Sequence, residues 1–504
     1  MAKKKRHDVV IAGGGSAGAV LAARLTEDPT RTVLLLEGGQ AYPVDGNPDV
    51  LTNGSRVGGD AEHDWGYTAQ TRPGNPEIAI PRGKALGGSS AVNATVALRA
   101  RADDFQQWAD RGVVGWSYDE VLETYKILEN TPDGDDEYRG RSGPLPVRQR
   151  TYETITESLR AFIDSGIELG LDRVDDPNGA AQRGVSPNPL TAVDGIRQST
   201  ALAYLTAEVR SRENLTIRGE ALVDRVLFED TSALGVVTAD GDVHLADDVI
   251  LSSGTYGSAA ILLRSGVGPK SDLDALGIDV VADLPVGRRL QDHPFFFNAY
   301  ALSPESLGMN PVAGALVWTK SSEARGDELD LHISATHLME PAASPTGGAI
   351  VLAIAVVQPE SVGTIALRST DPNDPPVIDL NLLGTPRDRR RMMEGLRLSR
   401  RIASGTAFSQ VVASELFPGD AVQTDDDLYA LIDSQISTYA HPTSSVPMGG
   451  PDDDHAVVDN AGVVRGTNRL RVVDASIMPV VPSTATNLTT IMIAEHIYRN
   501  HLMR

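Results

Sequence analysis

The run HDVVIAGGGSAG at residues 7–18 decides the fold, because an apolar strand passes in it directly into the pattern G-x-G-x-x-G. A helical stretch follows, and a second apolar strand at residues 31–36 then ends on Glu37. A strand, a glycine-rich turn, a helix and a second strand that ends on an acid form the fingerprint of dinucleotide binding. The three defining glycines are Gly13, Gly15 and Gly18.

Each part of this fingerprint has a physical task. Gly13 permits the tight turn, Gly15 leaves the backbone open to a pyrophosphate, and Gly18 lets the helix pack closely on the strand. The helix N-terminus offers free N–H groups and a positive dipole end to the anion. Glu37 can accept hydrogen bonds from an adenosine ribose. An ordinary glycine-rich turn would explain the glycines alone, so the complete pattern favours a dinucleotide site.

The basic residues Lys3 to Arg6 precede the strand and give the N-terminus the outline of a secretory signal. Three consecutive glycines interrupt the apolar region, however, and cleavage would remove the dinucleotide fingerprint. We therefore interpret this run as part of the mature protein, and the basic residues as a solvated, frayed start.

The composition excludes several classes of function. The 504-residue chain has a formal net charge of −23, 41% hydrophobic residues and no cysteine. This length allows two domains with substantial cores. The acidic charge argues against nucleic-acid or anionic-membrane partners, and no apolar run approaches the ~20 residues that span a bilayer. The lack of cysteine excludes disulfides, thiolate metal sites and cysteinyl flavin links, and it suits a cytoplasmic location. We predict no metal site.

Hydrophobic periodicity predicts a mixture of helices and strands along the rest of the chain. Strand-like pieces predominate between Pro294 and about residue 437, and the chain returns to a strand and a helix at its end. The predicted segments are helices at 118–128 and 152–169, β-hairpin structure at 217–246, a strand at 249–252, a helix from Gly254, strands at 314–318, 329–335, 349–357 and 363–367, a helix at 388–403, a strand at 470–473 and a helix at 489–502.

A dense run of small residues, PRGKALGGSSAVN, occupies residues 81–93. Backbone without large side chains can lie against a planar ligand, and its N–H and serine groups can bond the polar edge of that ligand. A flexible linker is the alternative, but the apolar residues Leu86, Val92 and Val96 at intervals favour a buried segment.

Five stretches together resemble the glucose–methanol–choline (GMC) oxidoreductases. Ala259 stands where proline or serine is usual in the second stretch, which is a mild departure from the family. The resemblance covers essentially the whole chain, and it implies FAD as the nucleotide and oxidation of a CH–OH group by hydride transfer to the flavin. The five stretches are residues 83–106, 254–268, the QDHP motif at 291–294, His441-Pro442 and the closing segment 474–487.

The resemblance also implies the fold class. We expect an α/β protein with a Rossmann-like FAD-binding domain assembled from discontinuous segments, and an α+β substrate domain built on an antiparallel sheet. The FAD-binding domain would comprise residues 6–155, 205–292 and 440–504. The substrate-binding domain would comprise residues 156–204 and 293–439.

Two residues are candidates for catalysis by this resemblance. His441 aligns with the catalytic histidine of the family, and a neutral imidazole can take a hydroxyl proton because its pKa lies near neutrality. Asn487 falls at the partner position, where members carry His or Asn. Asparagine is not a base, so it would hold the alcohol oxygen by hydrogen bonds. An N-cap is the other role for Asn487, and both roles are compatible because the helix would aim its positive end at the flavin.

The cofactor contacts are likewise implied by the resemblance. Val92 occupies the position at which some relatives bind FAD covalently through histidine, so FAD is expected to be non-covalent here. Val223 matches the backbone contact on the adenine side. The expected contacts are Gly13, Gly15, Ser16, Ala17, Gly18, Glu37, Arg82, Gly87, Gly88, Ser89, Asn93, Val96, Val223, Asp474, Ala475, Asn487, Leu488 and Thr489.

The substrate pocket is expected between the flavin and the second domain's sheet. Alternation along a strand would turn at least one of Phe295–Phe297 inward, toward this pocket. For any single one of them, simple burial within the strand is the alternative explanation. His293 is interpreted as structural rather than catalytic, because Gln291 and Asp292 offer it polar partners at a domain junction.

Bacterial members of this length are often similar to aryl-alcohol or hydroxymethylfurfural-type oxidases, and by this analogy we predict the reaction. A soluble FAD alcohol oxidase would convert an aromatic or furanic primary alcohol to its aldehyde and O2 to H2O2. A dehydrogenase that passes electrons to a quinone or another carrier is the nearest alternative, and a hydroxynitrile lyase shares the same fold. The expected partners are a small alcohol and O2, with no nucleic acid and no membrane.

Overall fold

A computed structural model describes residues 6–419 and 421–503, so the interpretation of Lys3–Lys5 as a frayed start lies outside the described residues. The strands of the two large sheets are β1 (Arg6–Ala12), β2 (Val33–Leu36), β3 (Gly184–Pro187), β4 (Leu215–Arg218), β5 (Val223–Glu229), β6 (Ser232–Thr238), β7 (Val243–Leu251), β8 (Pro294–Leu302), β9 (Ala313–Thr319), β10 (Leu331–Thr336), β11 (Ala349–Val356), β12 (Val412–Phe417), β13 (Ser437–Thr438) and β14 (Leu470–Val472).

The first sheet has seven strands in the order β4-β2-β1-β7-β6-β5, with β14 paired to the C-terminal end of β7. Neighbours among β4, β2, β1, β7 and β14 run parallel, while β6 and β5 form an antiparallel edge. All four residues of β2 are buried, as expected for a parallel strand covered on both faces. The carboxyl ends of β1 and β2 therefore carry the glycine-rich turn and Glu37 to the same edge.

The second sheet also has seven strands, in the order β12-β8-β11-β10-β9-β3, with β13 beside the start of β8. Every neighbouring pair in it is antiparallel. A smaller four-stranded sheet joins two hairpins from distant parts of the chain; its strands are Thr68–Gln70, Glu77–Ala79, Thr364–Ala366 and Val377–Asp379.

The longer helices cover these sheets. Helix α1 packs against α8 beside the first sheet, and α6 lies across β8, β10 and β11 of the second. The longer helices are α1 (Ser16–Leu25), α2 (Ala102–Ala109), α3 (Tyr118–Leu128), α4 (Glu157–Glu168), α5 (Gly254–Arg264), α6 (Pro386–Ala403), α7 (Asp425–Gln435) and α8 (Thr486–Ile497). Shorter ones are Asp49–Thr52, Thr200–Ala203, Ala207–Arg210, Lys270–Ala275 and Thr406–Val411.

Several helix boundaries differ from the prediction, such as the start of the helix predicted at 388, which lies at Pro386, and the end of the last α-helix, which lies at Ile497 rather than residue 502. The helix predicted from residue 152 begins at Glu157, because the Thr156 hydroxyl caps it by accepting a hydrogen bond from the N–H of Leu159. The last helix begins at Thr486 rather than Thr489, and the mixed α/β class is otherwise as predicted. Within the described part of the chain, no helix has the length and apolar character needed to cross a membrane.

Candidate active site

A cavity of about 720 Å³ is bordered both by the carboxyl edge of the first sheet and by one face of the second. Gly13 and Glu37, which follow β1 and β2, border it together with Phe295 of β8. His441 and Asn487 also border it. The carboxyl edge of a parallel sheet is where such folds bind their ligands, so this cavity is the candidate active site.

The glycine-rich turn is closed toward the protein and open toward the cavity. Gly13 has a φ of +101°, and a Cβ added at Gly18 would lie 1.9 Å from the carbonyl oxygen of Gly13. A Cβ added at Gly15 would meet no atom closer than 3.8 Å and would stand in the cavity instead. The turn therefore leaves room for a bulky anion at Gly15, next to the N-terminus of α1.

Glu37 is buried at the cavity wall. Its two carboxylate oxygens accept hydrogen bonds from the backbone N–H groups of Gly14 and Gly39, each at 2.8 Å. Burial raises the pKa of Glu37 to about 7. Each oxygen keeps a second lone pair, so the predicted contact with a ribose hydroxyl stays a prediction that the geometry allows.

The small-residue segment 81–93 is held in place by one buried arginine. Leu86 and Val92 are buried, which confirms the expectation of a buried segment rather than a flexible linker. Arg197 donates hydrogen bonds to the carbonyl oxygens of Ala91 and Asn93. Its rigid fork also bonds the carbonyl oxygens of Val50 and Leu51 in the short helix Asp49–Thr52, and that of Arg56 just after it.

His441 is positioned by a fixed turn after β13. Ala440 has a left-handed backbone with a φ of +65°. The carboxylate of Asp292 accepts hydrogen bonds from the backbone N–H of His441 at 2.9 Å and from the hydroxyl of Thr438 at 2.5 Å. Arg82 donates to the carbonyl oxygen of Ala440 at 3.0 Å. Polar groups from three segments thus hold the imidazole at the cavity wall.

His293 contacts His441 directly, which the sequence patterns did not predict. The two Nδ1 atoms lie 3.0 Å apart, and Nε2 of His293 lies 3.0 Å from the carbonyl oxygen of Pro482. A carbonyl oxygen only accepts, so Nε2 of His293 carries the proton and its Nδ1 accepts. His441 therefore donates through Nδ1–H and keeps a free lone pair on Nε2. The ring of His293 therefore bonds His441 and Pro482, so the prediction that Gln291 and Asp292 would be its partners is wrong.

Both imidazoles are neutral at physiological pH. Burial lowers the pKa of His293 to about 3. Burial, with repulsion from His293 and Arg82, holds the pKa of His441 well below its ordinary value. A neutral His441 with a free Nε2 is ready to accept a proton.

Asn487 lies in the first turn of α8, so its interpretation as the N-cap is wrong. The N-cap is Ala485, because the helix begins one residue before Asn487. The Oδ1 atom of Asn487 instead accepts a hydrogen bond from the hydroxyl of Ser16 at 2.7 Å. This leaves the two amide N–H donors of Asn487 for a ligand in the cavity.

The second sheet gives the cavity a mixed apolar and polar wall. Phe295 stacks on Tyr439 with ring centroids 5.4 Å apart, and Tyr439 packs edge-on against His441 at 4.9 Å. Phe295 therefore points inward, as the strand alternation predicted. Further apolar wall residues are Ala313, Val351 and Ala353, and the polar ones on β10 are His332, Ser334 and Thr336.

Most of the predicted cofactor contacts border this cavity. Those on its wall are Gly13, Gly15, Ser16, Ala17, Glu37, Arg82, Gly88, Ser89, Asn93, Val96, Val223, Asp474, Ala475 and Asn487. Four others do not border it: Gly18, Gly87, Leu488 and Thr489, of which Thr489 bonds the hydroxyl of Tyr125. Their individual roles stay predictions.

Comparisons with known proteins show the family and the overall fold that this chain shares. Two family models, both described as GMC oxidoreductase, match residues 7–295 and 359–494. An oxygen-dependent choline dehydrogenase of Vibrio vulnificus is 33% identical over 98% of this chain and 93% of its own. The pyridoxine 4-oxidase structure from Mesorbium loti is 32% identical, with a TM-score of 0.90 over 99% of this chain and 100% of that one. A fungal aryl-alcohol oxidase shares the fold at 21% identity, with a TM-score of 0.83 over 99% and 100% of the two chains.

Proposed function

Because the chain belongs to the GMC oxidoreductase family, and is therefore an FAD-dependent enzyme that acts on CH–OH donors, we propose that its substrates are aromatic or furanic primary alcohols. The alcohol RCH2OH and O2 would become the aldehyde RCHO and H2O2. The observation that carries the proposal is the stack of Phe295 on Tyr439 beside His441, which offers a flat apolar surface to a ring next to a base.

The cavity fits FAD. The glycine-rich turn has no room for a Cβ at Gly13 or Gly18, while its open side at Gly15 meets the N-terminus of α1. We propose that this turn holds the pyrophosphate, that Glu37 holds the ribose, and that the flavin lies by the 83–96 segment, without a covalent bond because Val92 has no nucleophile.

We also propose that the two sheets belong to two domains, one that binds FAD and one that binds the substrate. Residues 6–155, 205–292 and 440–504 would form the Rossmann-like FAD-binding domain, and residues 156–204 and 293–439 the substrate domain. Every strand of the first sheet falls in the former set and every strand of the antiparallel sheet in the latter, which supports this division.

We assign the general base to His441. Its Nε2 has a free lone pair because Nδ1 donates to His293, so it can take the hydroxyl proton of the alcohol. The amide of Asn487 would hold the alcohol oxygen, since its own oxygen is already bonded to Ser16. Bound FAD supplies the acceptor for the hydride that leaves the carbinol carbon.

The acidic residues at the cavity argue for an aromatic substrate over choline, the substrate in the names of several relatives. Among the described residues on the cavity wall, the carboxyl groups are those of Glu37, Asp374 and Asp474. Each already accepts hydrogen bonds from other protein groups. None of the three belongs to the second sheet, so a quaternary ammonium group at that wall would find no negative charge on its described residues. The Phe295–Tyr439 pair is also a single stack rather than an enclosing cage.

Two other functions are alternatives to the oxidase. A relative is named an oxygen-dependent dehydrogenase, which supports O2 as acceptor, while a quinone or another carrier would make the protein a dehydrogenase. A hydroxynitrile lyase would leave the flavin oxidised throughout.

We expect the yellow holoenzyme to bleach when it is mixed anaerobically with benzyl alcohol, and to recover its colour in air within seconds as H2O2 forms. Choline at the same concentration should bleach it at least about tenfold more slowly, because choline has no ring that could stack on Phe295 and Tyr439. The visible spectrum and a peroxide assay measure both. Bleaching without reoxidation in air would support the dehydrogenase, and an unchanged spectrum would refute the aromatic alcohol.

The pH profile of kcat/KM for benzyl alcohol should stay flat to well below pH 6.5, the ordinary pKa of histidine. The pKa of His441 is lowered, so its neutral form persists where an exposed histidine would be protonated. Activity should fall only as the pH drops through this lowered pKa. Steady-state assays in constant-ionic-strength buffers test this, and an acid limb at or above pH 6.5 would count against His441 as the base.

A further inference from the structure

His332 is a buried imidazole without a hydrogen bond to the residues that the structure describes. It is only 6% exposed, and its Nε2 is buried with no partner. Burial alone lowers the pKa of His332 to about 4, so the ring is neutral. His293 nearby has both ring nitrogens bonded. A buried polar group left unsatisfied costs free energy, and in native sites a ligand often supplies the missing partner.

The strand alternation places His332 on the cavity face of β10. Leu331, Ile333 and Ala335 belong to the hydrophobic core, and helix α6 lies across this strand. The residues between them border the cavity, and they form a stripe, here called the polar stripe, of His332, Ser334 and Thr336. Apolar residues surround this stripe on the neighbouring strands β9 and β11.

A single aromatic ring separates the polar stripe from the base. The ring of Tyr439 lies 4.9 Å from that of His441 and 5.8 Å from that of His332, centroid to centroid. Ser334 interacts with the hydroxyl of Tyr439. A substrate ring that lies along the Phe295–Tyr439 stack, with its CH–OH group at His441, would extend toward the stripe.

The chemistry of the polar stripe selects neutral polar groups. The neutral imidazole of His332 and the hydroxyl of Thr336 can each donate and accept, so they suit a phenolic hydroxyl or a ring nitrogen. Ser334, which already bonds Tyr439, keeps a lone pair that can accept. The stripe has no charged group to balance a carboxylate or an ammonium ion. An unsubstituted or alkylated ring would leave His332 unsatisfied.

We infer that His332 and the polar stripe bind a second, uncharged hydrogen-bonding group of the substrate, on the far side of the ring from its CH–OH group. The substrate class is then hydroxylated or nitrogen-containing aromatic primary alcohols. This inference rests on the proposed function and narrows it, and it makes His332 a residue that determines specificity.

The test compares 3- and 4-hydroxybenzyl alcohol with 3- and 4-methylbenzyl alcohol, which match them in size. The wild-type holoenzyme should prefer the better hydroxylated alcohol over its methyl counterpart by about tenfold or more in kcat/KM. In His332→Leu this ratio should fall to about twofold or less, and His332→Gln, which can donate and accept, should restore part of it. The matching aldehydes provide a second readout, because their dissociation constants follow from changes in flavin absorbance and should show the same order.

His337→Gln is the matched control, because His337 is also buried near the end of β10 but bonds Thr156 and the carbonyl oxygen of Ala349 away from the cavity wall. It should keep the wild-type ratio. Equal rates with hydroxyl and methyl substrates in the wild type, or an unchanged ratio in His332→Leu, would overturn the inference and leave the aromatic-alcohol oxidase standing. Failure of all these alcohols and of benzyl alcohol to bleach the flavin would instead overturn the proposed function.

Discussion

His441→Ala is expected to keep FAD bound and to slow flavin reduction by benzyl alcohol by about 10²-fold or more, the usual contribution of a general base. The variant removes the one imidazole whose Nε2 lone pair is left free by the contact with His293. The neighbouring turn is held by backbone groups and by Asp292, so the cavity should survive. Anaerobic stopped-flow absorbance measures the rate, and the visible spectrum of the purified variant reports FAD content. Reduction at a near-normal rate would refute the assignment.

His293→Leu separates the base from the residue that positions it. The variant leaves the Nε2 of His441 in place but removes the acceptor that fixes its tautomer, so we expect a smaller loss than in His441→Ala. His293 also contributes to the lowered pKa of His441, so its removal should raise that pKa and move the acid limb of kcat/KM to higher pH. A merely structural role for His293 would reduce activity without moving this limb.

Elements with short-range signals are those that the sequence predicts best. Helix α3 has the predicted bounds, because Ser117 and Glu120 form a capping box at its start and an apolar face recurs with helical spacing. The strand, turn and helix around Gly13 also follow from local rules, since a positive φ and close packing both demand glycine there.

The misjudged start of α8 shows where local rules fail. Asparagine favours the N-cap in general, but the side chain of Asn487 is taken by Ser16, 471 residues away in the chain. This partner is brought near by the packing of α1 on α8, which no pattern around Asn487 encodes. The contact of His293 with His441 has the same origin, since the two residues lie 148 positions apart and Pro482, which bonds His293, comes from a third segment.

The polar stripe could have been found in part. The residues of β10 read LHISAT, and this strict alternation of apolar and polar side chains predicts a strand with one polar face. Such a face usually meets solvent. Here it meets the cavity because α6 lies across this sheet and the first sheet closes the other side, which is a property of the tertiary fold.

Gly15→Ala is expected to leave the protein folded but to weaken its hold on FAD. A methyl group at Gly15 would have no protein atom within 3.8 Å and would stand in the cavity where we place the pyrophosphate. Overpacking a filled site by one methyl group costs about 1–3 kcal/mol, which corresponds to about five- to 150-fold in affinity. Titration of the apoprotein with FAD, followed by flavin fluorescence, gives the dissociation constant, and thermal unfolding of the apoprotein should be unchanged.

Gly18→Ala supplies the opposite case, because its methyl group would fall 1.9 Å from the carbonyl oxygen of Gly13 and force the turn itself to move. We expect this variant to lose thermal stability as an apoprotein as well as FAD affinity. Gly308→Ala, where a Cβ meets no atom within 4 Å, should match the wild type in both measurements. If Gly15→Ala bound FAD normally while Gly18→Ala did not, the turn would be needed for packing only and the pyrophosphate would lie elsewhere. Loss of affinity without loss of stability at Gly15 separates the role of ligand cradle from that of structural turn.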